Sequence, residues 1–150
     1  MISADTYDIL QGYAPSKKIV LCNGVFDILH LGHVEHLRAA RLMGDRLIVA
    51  LTDDDNVRKG PGRPLNDWHS RYEVLKELKC VDVVIHSIGA VNAIRTIKPH
   101  IFCKGIDYSA GDKWTEDVLA ACREVGTEIR YTLTPKRSVT DLIRRTMEIA

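Results

Sequence analysis

The sequence predicts one α/β domain in which five parallel strands form a doubly wound sheet with helices on both faces. Two features carry this prediction. From Lys17 onward, apolar runs rich in β-branched residues alternate with segments whose apolar residues recur at helical spacing. The strand-like runs are apolar throughout instead of alternating with polar residues, which is typical of parallel strands buried on both faces.

The first half of the chain supplies two strands and two helices. The run KKIVL starts the first strand, which extends to Asn23, and RLIVALT forms the second strand. Between them, apolar residues at helical spacing predict a helix that ends at Gly44 as a C-cap. An acidic triplet and a loop (56–66) then lead to a helix capped by Asn66 or Asp67.

The second half alternates in the same way. DVVIH, HIFCK and EIRYT are the third, fourth and fifth strands. A short helix (91–97) stops before Pro99, a longer helix (115–125) is closed by Gly126, and Ser138 caps a last helix. The expected apolar face of this last helix consists of Val139, Leu142, Ile143 and Met147. These elements together predict a Rossmann-like fold.

The junction between the first strand and the first helix, CNGVFDILHLGH (22–33), is the most informative stretch. A strand, a tight loop and a helix in this order direct free N–H groups and the positive end of the helix dipole above the sheet, which favours an anion such as phosphate. His30 and His33 flank Gly32, so the backbone can approach a ligand while two imidazoles face one pocket.

Two other interpretations of these histidines remain. They could be partly buried side chains bonded to backbone carbonyls, which is the usual role of an isolated histidine. A metal site on His30, His33 and His36 is less favoured, because no carboxylate stands where the HExxH mechanism needs one. His36 lies one turn further into the helix and is interpreted as structural, and no protein-bound metal is expected.

The residues with distinctive chemistry follow the carboxyl ends of the predicted strands, where a sheet of this kind binds its ligands. The loops at the opposite edge, such as 44–45 and 126–127, are short and plain. This asymmetry predicts a site at one edge of the sheet. The residues at that edge are Gly24, Asp27, His30, His33, Asp53, Asp54, Lys59, Arg63, Lys104, Gly105, Asp107, Tyr108, Lys136, Arg137, Ser138 and Thr140.

Composition narrows the class of protein. The 150 residues suit one domain that buries about 70% of its unfolded surface, with 1–16 as a leader and 17–150 as the core. A net charge of +1 with 27% charged residues gives no electrostatic reason to expect a nucleic acid or a membrane as partner. No apolar segment has membrane-spanning length and no signal peptide is evident, so a soluble cytoplasmic protein is expected.

The cysteines are widely spaced, with no CxxC pair. Most of them lie in or beside apolar runs, so they are expected to be free, mostly buried thiols. They are Cys22, Cys80, Cys103 and Cys122.

Five segments in order resemble the nucleotidylyltransferase superfamily, the cytidylyltransferase-like enzymes, in which HxGH binds the nucleoside triphosphate. The segments are GVFDILHLGH, KGPGRPLN (59–66), SRYEVLKEL with Arg71, KGIDY (104–108) and RSVTDLI (137–143). KGPGRP and KGIDY are most similar to the heptose-1-phosphate adenylyltransferase domain of bacterial ADP-heptose synthesis. The family usually has Ser-Thr-Thr before the last helix, whereas Val139 stands second here and can offer only its backbone N–H.

The resemblance implies that a sugar phosphate or polyol phosphate attacks the α-phosphorus of a nucleoside triphosphate and releases pyrophosphate. A phosphate nucleophile is already ionised near neutral pH, so the site needs positive charge and N–H donors and no general base. Mg²⁺ would arrive with the nucleotide, because nothing in the sequence resembles a closed protein cage for it.

The resemblance also implies a role for each matching position. The catalytic positions are His30, His33, Lys59 and Arg71. The nucleotide-binding positions are Asn23, Gly24, Val25, Phe26, Asp27, His30, His33, Lys104, Gly105, Asp107, Tyr108, Ser138, Val139 and Thr140. The acceptor-binding positions are Asp54, Lys59 and Arg63.

Several alternatives stay open at the level of sequence. Lys59 could be a solvated loop lysine, Arg71 could form a surface ion pair near Glu73, and Asp27 could cap a helix or a turn. The loop 56–66 has glycines and no apolar anchors, so it is expected to be mobile without ligand and to close over phosphates through Lys59 and Arg63.

The candidate function classes are a nucleotidylyltransferase, a nucleotide sensor and a dehydrogenase. An adenylyltransferase that uses ATP and heptose 1-phosphate is favoured, and the alternative is a CTP-dependent cytidylyltransferase acting on glycerol 3-phosphate or another phosphorylated alcohol. A non-catalytic nucleotide sensor is disfavoured because both histidines of HxGH are present. A dehydrogenase is disfavoured because GxGxxG does not follow the first strand. The expected partners are small-molecule substrates, and a homodimer is left open.

Overall fold

The computed structural model describes residues 17–105, 113–133 and 139–149. Its strands are β1 (Ile19–Gly24), β2 (Arg46–Thr52), β3 (Val83–Ser87), β4 (Ile101–Gly105) and β5 (Glu128–Thr132). Its helices are α1 (Leu31–Arg41), α2 (Trp68–Leu75), α3 (Ala90–Ile97), α4 (Lys113–Val125) and α5 (Val139–Ile149). A short 3₁₀ turn, Asp54–Asn56, follows β2.

The five strands are parallel and lie in the order β3-β2-β1-β4-β5. The chain builds outward from β1 to β2 and β3, and then crosses back to place β4 and β5 on the other side. The strand order therefore reverses between β1 and β4. In a doubly wound sheet the crevice beyond the carboxyl ends of the strands at this point is the usual place for a ligand.

Helices cover both faces of the sheet, as the sequence predicts. Successive residues of β1 point to opposite faces, so Val20 and Cys22 join the core layer beneath α1 while Leu21 joins the layer beneath α3 and α4. All three side chains are fully buried. The central position of β1 thus fixes where its carboxyl end, and the loop that follows, can lie.

The predicted boundaries agree closely with the structure. β2 and β5 have the predicted bounds, while β3 and β4 are displaced by one residue. Asp67 is the cap of α2, with its side chain accepting the Ser70 N–H at 2.8 Å. The predicted C-cap at Gly44 is wrong, because the helix ends at Arg41 with Leu42 as its cap, and Gly44 lies two residues beyond that cap.

The prediction that the apolar face of the last helix is buried is wrong for the side chains that the structure describes. Leu142 is 36% exposed and Met147 is 74% exposed. Helical periodicity identifies a face that can be buried, but it does not specify what covers that face.

No described helix is both long enough and apolar enough to cross a membrane.

Candidate functional site

Two histidines cap the N-terminus of α1. His30 is the N-cap residue, and its Nδ1 accepts the Gly32 N–H at 3.1 Å. His33 Nδ1 accepts the His30 N–H at 3.3 Å, which completes a reciprocal capping box. The two rings are stacked with their centroids 3.9 Å apart. Because each Nδ1 accepts a hydrogen bond, each neutral ring carries its proton on Nε2 and can donate from there.

The pKa of His33 is lowered from 6.5 to about 4. Burial is the largest cause, electrostatic repulsion by His30, His36 and Lys59 acts in the same direction, and a hydrogen bond to the backbone of Ile28 opposes it in part. His33 is therefore neutral at neutral pH. It offers a hydrogen-bond donor whose protonation state does not change between about pH 6 and 8.

Gly24 and Phe26 shape the floor beneath His33. A Cβ atom on Gly24 would lie 2.8 Å from Cε2 of Phe26, so only glycine leaves room for this ring. Phe26 has a positive φ of 48° and packs edge to face against His33, with ring centroids 5.3 Å apart. The Phe26 ring therefore packs against His33 and Gly24, and the predicted nucleotide contact of Phe26 would have to come from its backbone.

Asp27 is a buried anchor for the loop that follows β2. Its carboxylate accepts the N–H of Leu65 at 2.8 Å, the N–H of Asn66 at 2.9 Å and Nε–H of Arg63 at 3.0 Å. Burial by itself would raise the pKa of Asp27, but these hydrogen bonds and the Arg63 charge lower it overall. The interpretation of Asp27 as a helix cap is wrong, because the carboxylate instead holds residues 36 to 39 positions away.

This anchor also changes the expected role of Arg63. The prediction that Arg63 belongs to a mobile loop and closes over phosphates is wrong, because its guanidinium is paired with Asp27 and only 9% of its side chain is exposed. The loop is divided by this contact. Arg58 to Gly62 are exposed or nearly so, whereas the segment from Arg63 to Asn66 is tied to Asp27.

Arg71 is buried, with 2% of its surface exposed. Its guanidinium donates four hydrogen bonds of 2.6–3.0 Å, to the carbonyl oxygens of Val25, Thr52 and Asn66 and to a carboxylate oxygen of Asp54. The interpretation as a surface ion pair is therefore wrong. These bonds use four of the five N–H groups, so Arg71 first of all positions the ends of β1 and β2. Its direct phosphate contact stays a prediction, as does the substrate contact of Asp54.

A cavity of about 360 Å³ opens beside this network, at the carboxyl ends of β1 and β2. Its volume lies within the range of small-molecule sites. It is lined by Asn23, Gly24, Val25, Thr52, Asn56, Arg58, Lys59, Gly89, Ala90 and Trp114. Four of these lining residues are predicted site residues, namely Asn23, Gly24, Val25 and Lys59. The positive charge of the cavity comes from Lys59 and Arg58.

The other lining residues were missed by the sequence analysis. Arg58 adjoins Lys59 in the same basic loop, so its place beside Lys59 was a signal that could have found it. Gly89 and Trp114 carry no motif, and only the fold brings the start of α3 and the first turn of α4 to the cavity.

The remaining predicted site residues have different surroundings in the structure. Lys104 is 3% exposed, with its ammonium 4.3 Å from the centre of the Trp114 ring, and Gly105 ends β4. A hydrogen bond of 2.8 Å joins the Asn23 amide group and the Ser87 hydroxyl. Asp107, Tyr108 and Ser138 lie outside the described residues. Val139 and Thr140 begin α5, and Thr140 is exposed.

Residues 21–145 match the cytidylyltransferase-like family. The chain belongs to this family. The predicted family and the Rossmann-like sheet are thereby confirmed, and the HxGH segment at the start of α1 lies inside the matched region.

Curated relatives are similar over most of this chain. It is 46% identical over 117 residues to the bifunctional protein HldE of Pseudomonas fluorescens (strain Pf0-1), which covers 75% of this chain and 25% of that protein. It is also 46% identical over 108 residues to HldE of Pasteurella multocida (strain Pm70), covering 69% and 23%. The chain therefore spans about a quarter of the length of these relatives.

Solved structures share the fold. A lipopolysaccharide core biosynthesis protein from Thermoplasma volcanium GSS1 superimposes with a TM-score of 0.66 and 29% identity, covering 82% of this chain and all of that one (100%). A pantoate-beta-alanine ligase from Francisella tularensis has a TM-score of 0.64 and 16% identity, covering 87% of this chain and 64% of the ligase. At that identity the ligase supports the fold alone.

Proposed function

We propose that this domain is a nucleotidylyltransferase that transfers AMP from ATP to a sugar phosphate such as heptose 1-phosphate and releases pyrophosphate. One observation carries the proposal. His30 and His33 are stacked at the N-terminus of α1 with both Nδ1 atoms occupied by backbone N–H groups, so that two Nε2 donors sit together at the positive end of a helix.

Nucleotidyl transfer needs few groups besides these two Nε2 donors. The attacking phosphate is already ionised, and the developing charge on the α-phosphoryl oxygens needs fixed donors. His33 meets that need as a neutral donor, because its pKa of about 4 keeps it uncharged at neutral pH. Lys59 and Arg58 line the cavity at the carboxyl ends of β1 and β2 and supply positive charge for the remaining phosphates.

Mg²⁺ is proposed to enter as part of the nucleotide substrate. The carboxylates of Asp27 and Asp54 are already paired with Arg63 and Arg71. They do not form a closed cage of oxygen ligands, which fits the preference of Mg²⁺ for substrate phosphates with one or two carboxylates at most.

The choice of ATP and heptose 1-phosphate rests on similarity. The KGPGRP and KGIDY segments resemble the heptose-1-phosphate adenylyltransferase domain, and the HldE proteins are 46% identical over about three quarters of this chain. The match to the cytidylyltransferase-like family supports a second candidate, CTP with glycerol 3-phosphate or another phosphorylated alcohol.

A panel of ATP and CTP crossed with heptose 1-phosphate and glycerol 3-phosphate, with Mg²⁺ present, tests the proposal through pyrophosphate release. The expected result is release with ATP and heptose 1-phosphate and a poorer rate with CTP. Preference for CTP with glycerol 3-phosphate would overturn the adenylyl assignment but keep the class. No pyrophosphate from any pair, in folded protein, would indicate a nucleotide sensor.

A further inference from the structure

Three donors that favour soft metals meet behind the candidate site. They are the thiols of Cys22 on β1 and Cys103 on β4 and the imidazole of His36 on α1, and their donor atoms all lie within 4.8 Å of one another. Cys22 is fully buried and Cys103 is 2% exposed, while His36 is half-buried. Among the described residues, this is the one group of three or more histidine, cysteine or acidic side chains with such spacing.

The sheet itself brings the two thiols together. Leu21 of β1 pairs with Phe102 of β4, so the next residues, Cys22 and Cys103, are neighbours on adjacent parallel strands. Both belong to the core layer beneath α1, and the thiols are close enough to hydrogen bond to each other. The pair therefore faces the helix that carries the histidine.

His36 completes the group from the opposite side. It lies one turn beyond His33 on α1, and its Nδ1 is 2.5 Å from the hydroxyl oxygen of Thr132 on β5. This contact restrains the ring. Outer hydrogen bonds of this kind orient histidines in metal sites.

We propose that Cys22, Cys103 and His36 bind one thiophilic metal ion, with Zn²⁺ as the ion expected and a water molecule as its fourth ligand. Zinc binds thiolate sulfur at about 2.3 Å and imidazole nitrogen at about 2.0–2.1 Å, so tetrahedral ligands lie roughly 3.5–3.8 Å apart. The three donors reach this spacing by moving inward by at most about 1 Å. Two thiolates and one imidazole select Zn²⁺ over Mg²⁺, which distinguishes this ion from the one carried by the nucleotide.

The bound ion would link three elements that also build the candidate site. Cys22 directly precedes Asn23, Cys103 directly precedes Lys104, and His36 shares α1 with His33. The metal lies on the core side of these residues, so its expected effect is to hold the site together. A ligand that binds only the folded state raises stability in proportion to the logarithm of its concentration.

The test uses the whole chain, reduced and freed of metal with a chelator. Zn²⁺ is titrated against a chromophoric competitor, and Co²⁺ is added to a second sample as a spectroscopic probe. We expect one equivalent of metal, a thiolate-to-cobalt charge-transfer band in the near ultraviolet and a melting temperature that rises with Zn²⁺ concentration.

Variants identify the ligands. Cys22→Ser, Cys103→Ser and His36→Gln should each weaken Zn²⁺ binding by about a hundredfold, because even outer partners of a metal site contribute tenfold to a hundredfold. Cys122→Ser is the matched control, since Cys122 is equally buried but lies in the opposite core layer. That variant should bind as the wild type does.

Three outcomes would overturn the proposal. They are the absence of stoichiometric binding at micromolar protein and metal, equal loss of binding in Cys122→Ser, and a Cys22–Cys103 disulfide in the freshly purified protein. Should the ligand variants fail to fold, the cobalt spectrum of the wild type decides the question without them.

Discussion

His33 makes four contacts with described residues of the protein. Its Nδ1 accepts the His30 N–H, its ring stacks on His30 and packs against Phe26, and a hydrogen bond joins it to the backbone of Ile28. These contacts fix the direction in which Nε2 can donate, before any substrate binds. A donor held in this way contributes to turnover because it does not have to reorganise during the reaction.

Replacing His33 by alanine should therefore affect turnover far more than folding. We expect His33→Ala to lower turnover by roughly a hundredfold to a thousandfold, the loss typical of one preorganised donor. The unfolding free energy should fall by about 1 kcal/mol, because the variant loses one capping hydrogen bond. Pyrophosphate release and urea unfolding, measured on the same preparation, give both quantities.

His69→Ala is the matched control, because the His69 side chain is 75% exposed on α2. Its turnover should equal that of the wild type. Near-normal turnover in well-folded His33→Ala protein would contradict the proposed role of the HxGH pair. Loss of a bound zinc ion together with activity in His33→Ala protein, with Cys22 and Cys103 still present, would favour the disfavoured metal site on His30, His33 and His36.

The pKa of His33 gives a second prediction at this scale. In an NMR titration the His33 ring should show a midpoint of about 4, because burial and neighbouring positive charge lower its pKa from 6.5. The folded pKa is below the unfolded value, so the unfolded chain binds the proton first as the pH falls. Stability should consequently decrease between about pH 6.5 and 4.

The His33→Asn variant isolates this effect. Asp27 also has a lowered pKa and also loses its stabilising contribution in acid, so the wild type alone cannot separate the two groups. In this pH window the unfolding free energy of His33→Asn should depend less steeply on pH than that of the wild type. Equal slopes for the two proteins would contradict the assignment.

At the scale of elements, the loop between the 3₁₀ turn and α2 has two parts. The basic tip contains Gly60 and Gly62, both with positive φ (97° and 74°), and a Cβ added at either glycine would meet open space. The second part, at Leu65 and Asn66, is hydrogen bonded to Asp27. The tip can therefore respond to a ligand while its base stays fixed.

Hydrogen exchange should separate the two parts. In the free protein the amides of Leu65 and Asn66 should exchange slowly and those of 58–62 quickly. Saturating ATP with Mg²⁺ should slow exchange at 58–62, because Lys59 closes on the phosphates. Unchanged exchange there would return Lys59 to the interpretation of a solvated loop lysine.

Asp27→Asn tests the anchor directly. The neutral amide keeps the shape of the side chain but loses the charge-assisted bond to Arg63, so exchange at Leu65 and Asn66 should accelerate. Asp55→Asn is the control, since Asp55 is an exposed acidic residue of the same loop region. Its amide exchange pattern should match that of the wild type.

At the scale of the whole molecule, Arg71 joins parts of the chain that are distant in sequence. It connects α2 to the end of β1, to the end of β2 and to the loop base. Three of its acceptors are carbonyl oxygens of irregular backbone or strand ends, which need donors when buried. One side chain thus fixes the edge of the sheet on which the cavity opens.

Arg71→Lys should be strongly destabilising although it keeps the charge. The ammonium group cannot reach four acceptors in a planar fork, so buried carbonyls lose donors at about 1–3 kcal/mol each, and we expect a loss of roughly 2–4 kcal/mol in urea unfolding. Arg95→Lys is the matched control, because Arg95 also binds a carboxylate, Glu124, but is 53% exposed. That change should cost less than about 1 kcal/mol.

An equal loss of unfolding free energy in Arg71→Lys and Arg95→Lys would show that the buried network stabilises the protein no more than an exposed ion pair does. A fall in turnover larger than the fall in folded Arg71→Lys protein would instead support the predicted phosphate contact of Arg71.

The sequence determined the fold class, most element boundaries and the place of the HxGH pair. These follow from local periodicity and capping, which act over a few residues and can be read from the chain itself. The motif order also identified the family. Asn23, Gly24, Val25 and Lys59 line one cavity, because they lie at or beyond the carboxyl ends of neighbouring parallel strands.

Only the tertiary structure decided how the charged groups are paired. Asp27 meets Arg63, 36 residues away, and Arg71 meets the ends of two strands, because the crossovers of a parallel sheet bring distant segments to one edge. The same long-range packing places Cys22, His36 and Cys103 together. Such contacts depend on strand order and register, which residue patterns along the chain do not encode locally.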